Sequence, residues 1–249
     1  MSTVPPGLFS IRTPFVNCHV LVDEARRAVV IDTGFIGSRR KLERLISRLG
    51  LPPASVQAIV LTDGHIDHAG NVAWLMEWTG APVWAHPAEQ AHIDGVYPYR
   101  GVARVCGILE AIGRGAAGCR PVCIDEFLVD GATLPLWGGL RVVHLPGHTL
   151  GHCCLWSERL RLLFAGDLVA IWSWRTTYPP PIYNSAPELP PASLRSAAAL
   201  KPWLVVPNHY NTFDPAWVAG EFALRSQEIA RANATGCGCV MNRSRIGPP

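Results

Sequence analysis

Apolar positions along the chain switch between two periods. Near the N-terminus, GLFSIRTP, VNCHVLVD and RAVVIDTG are short apolar runs broken by polar turns, which predicts three successive strands. SRRKLERLISRLG then places Leu42, Leu45, Ile46 and Leu49 at helical spacing, with Gly50 as the stop. AIVLT predicts a short buried strand, AGNVAWLMEWTG a helix closed by Gly80, and APVWAH another strand. From Pro87 to about Gly118 the pattern is helix and loop without clear boundaries. LRVVHLP, HCCLWS and LRLLFAGD predict three further strands, and IWSWRTTYPPPIYNSAPELPP, rich in Pro and aromatics, predicts a loop. ASLRSAAAL predicts a helix, WLVVP a strand and AWVAGEFALRSQEIARA a closing helix, followed by an irregular tail from Thr235 to Pro249.

Strands cluster before helices in each half. That order predicts an α/β sandwich in which two sheets face each other and helices cover the outside. No repeat of fixed period interrupts it, so one domain over residues 1–249 is the simplest account, with a closing helix in 211–234 and the tail in 235–249. Hydrophobic residues make up 49% and charged residues 16% of the 249 positions, as in a folded globular chain. A formal net charge of +3 without a dense Lys/Arg tract argues against nucleic acid as a partner. The start, MSTVPPGLFSIRTPF, has no basic segment leading into an apolar run, and no stretch reaches about 18 apolar residues. A cytoplasmic protein without membrane contact is the expectation. The eight cysteines, Cys18, Cys106, Cys119, Cys123, Cys153, Cys154, Cys237 and Cys239, then read as reduced thiols, and none of them has paired zinc-ribbon spacing.

The densest chemistry lies in LTDGHIDHAGN, residues 61–71. A buried strand ends at Thr62, and Asp63, His65, Asp67 and His68 follow on one tight loop. Imidazole and carboxylate are the groups that zinc and similar divalent ions prefer. Three more strand ends each deliver one such residue: His148 in HLPGHTLGH, Asp167 in FAGDLV and His209 in VVPNHY. Strand ends on one edge of a sheet are where α/β folds commonly build sites.

LTDGHIDHAG, PGHTLGH, AGD and PNHY, together with the early IDTG at Ile31–Gly34, resemble the ordered motifs of the metallo-β-lactamase superfamily over about residues 15–210. The resemblance implies a four-layered αβ/βα sandwich with a metal site on one edge. It implies His65 and His148 as ligands of a first metal, and Asp67, His68 and His209 as ligands of a second. Asp167 would bridge them and Asp67 would act as general base. The family's loop usually begins with histidine where this chain has Asp63. An aspartate still offers oxygen to a divalent ion but makes the site harder, which brings Mn2+ or Fe2+ closer to Zn2+, the first choice. With Asp63, Asp67 and Asp167 ionised, two divalent ions and a bridging hydroxide sum to zero charge.

The activity so implied is hydrolysis of an ester, lactone or thioester of a small-molecule substrate by a metal-bound hydroxide. Phosphodiester, sulfate-ester or β-lactam hydrolysis on the same ligands, an iron-dependent redox enzyme resembling sulfur dioxygenases, and a binding protein that kept the fold are the alternatives. No G-x-S-x-G elbow supports serine catalysis. His152 reads as a ligand or a ligand's support, and the resemblance makes Asp32 a candidate support for a metal-bound histidine, with plain structural hydrogen bonding the alternative for both. His19, His86, His92 and His144 read as structural histidines with satisfied hydrogen bonds. Trp172, Trp174, Tyr178 and Tyr183 suggest either an aromatic wall over the metals or a packed surface or subunit contact, and Arg175 a weak anion-steering group.

Overall fold

The structure is a computed structural model describing residues 4–13, 15–172, 175–186, 189–210, 218 and 220–224. Two six-stranded sheets face each other. The first runs in the order β1 (Leu8–Arg12), β2 (Asn17–Val22), β3 (Ala28–Ile31), β4 (Val56–Val60), β5 (Val83–Ala85) and β6 (Glu126–Phe127). Its first three strands are antiparallel, and from β3 onward neighbours are parallel. The second holds β7 (Thr133–Leu134), β8 (Leu140–His144), β9 (Cys153–Ser157), β10 (Leu162–Trp172) and β11 (Arg175–Thr177), with β12 (Leu204–Tyr210) pairing parallel to β10.

The two-residue period of the strands sorts side chains into layers. Leu21, Val29, Ile31, Ala58 and Val60 point inward and meet Leu140, Val142, Leu155, Leu162, Phe164, Leu204 and Val206 of the second sheet. The alternate residues Val20, Val30 and Ile59 point outward. They pack under α1 (Ser38–Arg48), through Leu42 and Ile46, and under α3 (Val72–Thr79), through Val72 and Leu75. On the far side Cys154, Leu163 and Val205 pack against Leu194 and Ala197 of α6 (Pro190–Ala199), with Val218 and Phe222 completing that layer. Helix, sheet, sheet and helix give the four layers expected from the sequence, and each strand of the centre is apolar on both faces.

Several boundaries differ from expectation. The helix expected over 69–80 is two: α2 (Ile66–Ala69) begins inside the ligand motif, and α3 starts after a break at Gly70 and Asn71. Residues 171–191 are not all loop. Ile171 and Trp172 finish β10, Arg175–Thr177 form β11, and Pro190 and Pro191 open α6, where proline's missing N–H costs nothing. The segment after Pro87 resolves into α4 (Gln90–Ile93) and α5 (Arg104–Ala117), the latter ended by Gly118 at φ +63°. Most of the expected closing helix, the tail with Cys237 and Cys239, and Trp174 lie outside the described residues, as do the side chains of Trp172 and Arg175. The six described cysteines are free thiols, four of them buried. Among the described residues no helix is long and apolar enough to cross a membrane.

Candidate metal centre

β3, β4, β10 and β12 end or bend along one edge of the sandwich, and the polar residues of the motifs converge there. Ligand-type atoms of Asp63, His65 and His148 lie within 4.8 Å of one another, as do those of Asp67, His68 and His209, and those of Asp63, His68 and Asp167. All seven residues singled out in the sequence therefore meet. They are delivered differently from expectation. His65 caps α2 and Asp67 and His68 sit within it, while Asp167 lies inside β10 and His209 inside β12. β10 can present Asp167 because its register shifts at Gly166, which adopts φ +52°.

Asp167 is the hub. Its Oδ1 lies 3.3 Å from His68 Nε2, and its Oδ2 lies 3.2 Å from both His148 Nε2 and His209 Nε2. Asp67 Oδ2 approaches His209 Nε2 at 3.3 Å on the more open side of the cluster. Yet Asp63 Oδ2, His65 Nε2, His68 Nε2, His148 Nε2 and Asp167 Oδ1 are buried without a hydrogen-bond partner. Buried polar atoms rarely go unmatched, and all five belong to residues of the converging groups. Three imidazole nitrogens and two carboxylate oxygens, buried and drawn together, are the donor types a divalent cation takes. The residues present fit a metal.

The electrostatics agree. Burial alone would lower His68, but Asp63, Asp167, Asp32 and Asp67 around it push it well above the ordinary histidine value. His209 rises to about 10 against its burial, because Asp167 and Asp67 flank it. Asp63 is pushed well up by burial and by Asp167, Asp32 and Glu89. Carboxylates crowd this pocket to a density that demands cationic charge beside them.

Supporting side chains fix ring orientation. Asp32, fully buried and held at φ +58° after β3, accepts from the Thr62 N–H (2.8 Å), the Thr62 hydroxyl (2.7 Å) and Asn208 Nδ2 (2.6 Å). Its Oδ2 also lies 3.1 Å from His68 Nδ1, which turns His68 Nε2 toward Asp167. Asn184 Oδ1 does the same for His148 Nδ1 at 3.1 Å. His152 uses both ring nitrogens, Nδ1 with the Leu145 carbonyl and Nε2 as acceptor for the Asp167 N–H, so it positions Asp167 and has no lone pair left for a metal. A Cβ at Gly166 would fall 2.6 Å from that Nε2, so glycine is required there.

Asn184 was not singled out in the sequence, and three further residues were missed or misread. Glu89, fully buried, accepts the Gly64 N–H at 2.6 Å and the Gly151 N–H at 2.7 Å, tying the loop of His65 to the loop of His148. Burial raises it to about 7, against the hydrogen bonds it accepts. Glu110 of α5 faces His65 Nε2 at 3.9 Å and accepts the Tyr99 hydroxyl. His92 is not a satisfied structural histidine. Both its ring nitrogens are buried without a partner, and its ring packs edge-on against His65 with centroids 5.1 Å apart. The glycines beside the ligands hinted that something approaches closely, but spacing alone does not name a partner 25 or 62 residues away. Of the aromatic loop, Tyr178 packs onto the outer core of the second sheet, whereas Tyr183 is exposed beside Asn184.

Residues 11–209 match the sequence profile of the metallo-β-lactamase superfamily. The chain is 28% identical over 160 residues to a hydroxyacylglutathione hydrolase, GloC, of Haemophilus influenzae, covering 61% of this chain and 66% of that one. It thus spans just under two thirds of that relative's length. The crystal structure of a metallo-β-lactamase family protein, TTHA1429, of Thermus thermophilus superposes with a TM-score of 0.68 at 26% identity, covering 92% of this chain and 82% of that one. A second crystal structure, TTHA1623 in a di-iron-bound form, superposes with a TM-score of 0.60 at 28% identity, covering 81% and 91%.

Proposed function

The chain belongs to the metallo-β-lactamase superfamily, and from that premise we propose that it is a metallo-hydrolase cleaving a thioester, or a related ester or lactone, of a small-molecule acid. The observation that carries this reading is the convergence of seven His and Asp side chains, five of which keep a buried donor atom without a hydrogen-bond partner. The thioester preference within that class is supported by the likeness to the hydroxyacylglutathione hydrolase.

His65, His148 and Asp63 would hold one divalent ion, Asp67, His68 and His209 a second, and Asp167 would serve both. Bound there, divalent ions polarise a substrate carbonyl and lower the pKa of water from 15.7 toward about 7. The protein's own part is orientation and proton handling. Asp32 and Asn184 hold the His68 and His148 rings by their far nitrogens, so the near nitrogens stay directed inward. Asp67, the most exposed carboxylate of the cluster, is placed to accept and return a proton at the mouth of the site. Zinc remains the first choice of metal. Iron gains support from the di-iron neighbour and from the oxygen of Asp63.

The test is metal-loaded protein assayed against acyl-glutathione thioesters, lactones, phosphodiesters and β-lactams, with His68→Ala as the blank and metal content measured on the same samples. Thioester turnover at least about tenfold above the other classes, a margin of about 1.4 kcal/mol in transition-state binding, is expected. A phosphodiester or β-lactam as the best substrate overturns the substrate class. Tightly held iron with oxygen consumption and no hydrolysis overturns the reaction.

A further inference from the structure

The helix that brings Glu110 to His65 has an outer face of the wrong polarity for a surface. α5 buries Cys106, Gly107 and Glu110 on its inner side. Val105, Ile108, Leu109 and Ile112 are exposed at 48, 61, 57 and 66%, and Val102 in the preceding turn at 71%. Positions 105, 108, 109 and 112 follow the i, i+3, i+4, i+7 rule, so they form one stripe along the helix. In a monomer that stripe would face the core. Ala111, Gly115 and Ala116, also exposed, add no bulk and allow close approach.

Charge selects the occupant. Arg104 is the one charged residue exposed on α5, and it sits in the first turn, which holds no acidic residue. A cation there meets the positive end of its own helix dipole. Set antiparallel against an identical helix, Arg104 would instead lie beside the other copy's C-terminal carbonyl groups, where a cation is favoured. A lipid surface would call for a row of Lys and Arg along the polar side of the helix. That side offers only Arg114, committed to the His92 and Ile93 carbonyls.

We propose that α5 forms the two-fold interface of a homodimer, its copies packed antiparallel with Ile108, Leu109 and Ile112 across the axis and Arg104 at the facing helix end. A 14-residue helix is about 21 Å long, so this face with its rim falls at or below the about 800 Å² per partner of a standard interface. Association is therefore expected at micromolar strength.

Sedimentation velocity of the full, metal-loaded chain between about 1 and 100 µM, the span of a micromolar equilibrium, tests this. The mass is expected to rise from 27.1 kDa toward twice that value. Leu109→Glu should weaken association at least about 100-fold, as for an anchor at an interface centre, while circular dichroism and metal content stay those of the parent chain. Arg104→Glu reports the orientation. It should weaken the dimer about three- to twentyfold, since both helix ends lose a favourable charge and gain an unfavourable one. A chain still monomeric at the top concentration, or a dimer indifferent to Leu109→Glu, overturns the proposal. Arg104→Glu that tightens association overturns the antiparallel arrangement. A monomer that binds anionic vesicles through Leu109 assigns the face to lipid instead and overturns it as well.

Discussion

The two halves of the metal centre are built to different standards. Around His68 every supporting group comes from the sheet edge and is hydrogen-bonded: Asp32 follows β3, Thr62 follows β4 and Asn208 lies in β12. Around His65 the neighbours come from the helical segment after Pro87. Glu110 stands at 3.9 Å, beyond hydrogen-bond length, and both ring nitrogens of His92 lack a partner. A sheet edge is fixed by ladders on both sides, so short polar side chains placed on it meet with little freedom. A helix laid over the edge must find its position by packing, and it leaves slack. The comparison teaches that the His68 ring is preorganised by the fold, while the His65 ring, though its loop is held by Glu89, keeps freedom to turn toward an ion or substrate.

That difference is open to measurement, and the largest effect should come from the residue both halves share. Asp167→Ala is expected to abolish binding at both metal positions and reduce turnover by more than about 100-fold, read by metal analysis and steady-state rates. Next, Asp32→Ala should lower metal affinity about 10- to 100-fold, read by chelator competition. It also strips a partner from Thr62, Asn208 and His68, so thermal unfolding should fall by about 1–3 kcal/mol of stability per buried group left unmatched. Glu89→Ala frees two backbone N–H groups at once and should cost about 2 kcal/mol or more by the same reckoning, with a milder effect on metal affinity. The smallest change belongs to the adaptable side, where Glu110→Gln should alter metal affinity by less than about tenfold, since no hydrogen bond to a ligand is lost. If Glu110→Gln matched Asp32→Ala in the chelator assay, the two halves would be equally built and the comparison would fail.

Legibility in the sequence follows the same divide. Asp63, His65, Asp67, His68, His148, Asp167 and His209 were visible because each follows or lies near a short apolar run whose strand character is plain. Asp32 was visible for the same reason, in IDTG directly after VV. The facing sheets followed from the order of strands before helices, and the four layers from the family resemblance. Glu89, Glu110 and the stray His92 were not legible. They sit in a segment whose period is weak, and their roles depend on how α4 and α5 dock, a tertiary fact with no local signature. The extension of β10 through Trp172 was hidden by aromatics and prolines beyond it, because pairing with β12 to Ile171 and with β11 to Trp172 carries the strand past the point where the sequence reads as loop.

Glu89 has a consequence for motion. Its two oxygens each hold one backbone amide, from Gly64 and from Gly151, and a Cβ at Gly151 would collide with it at 2.5 Å. The arm bearing His65 and the arm bearing His148 are therefore clamped by a single side chain from outside both. Neither can swing open to admit or release an ion while the other stays put, so exchange at this position should occur as one concerted event with a single rate.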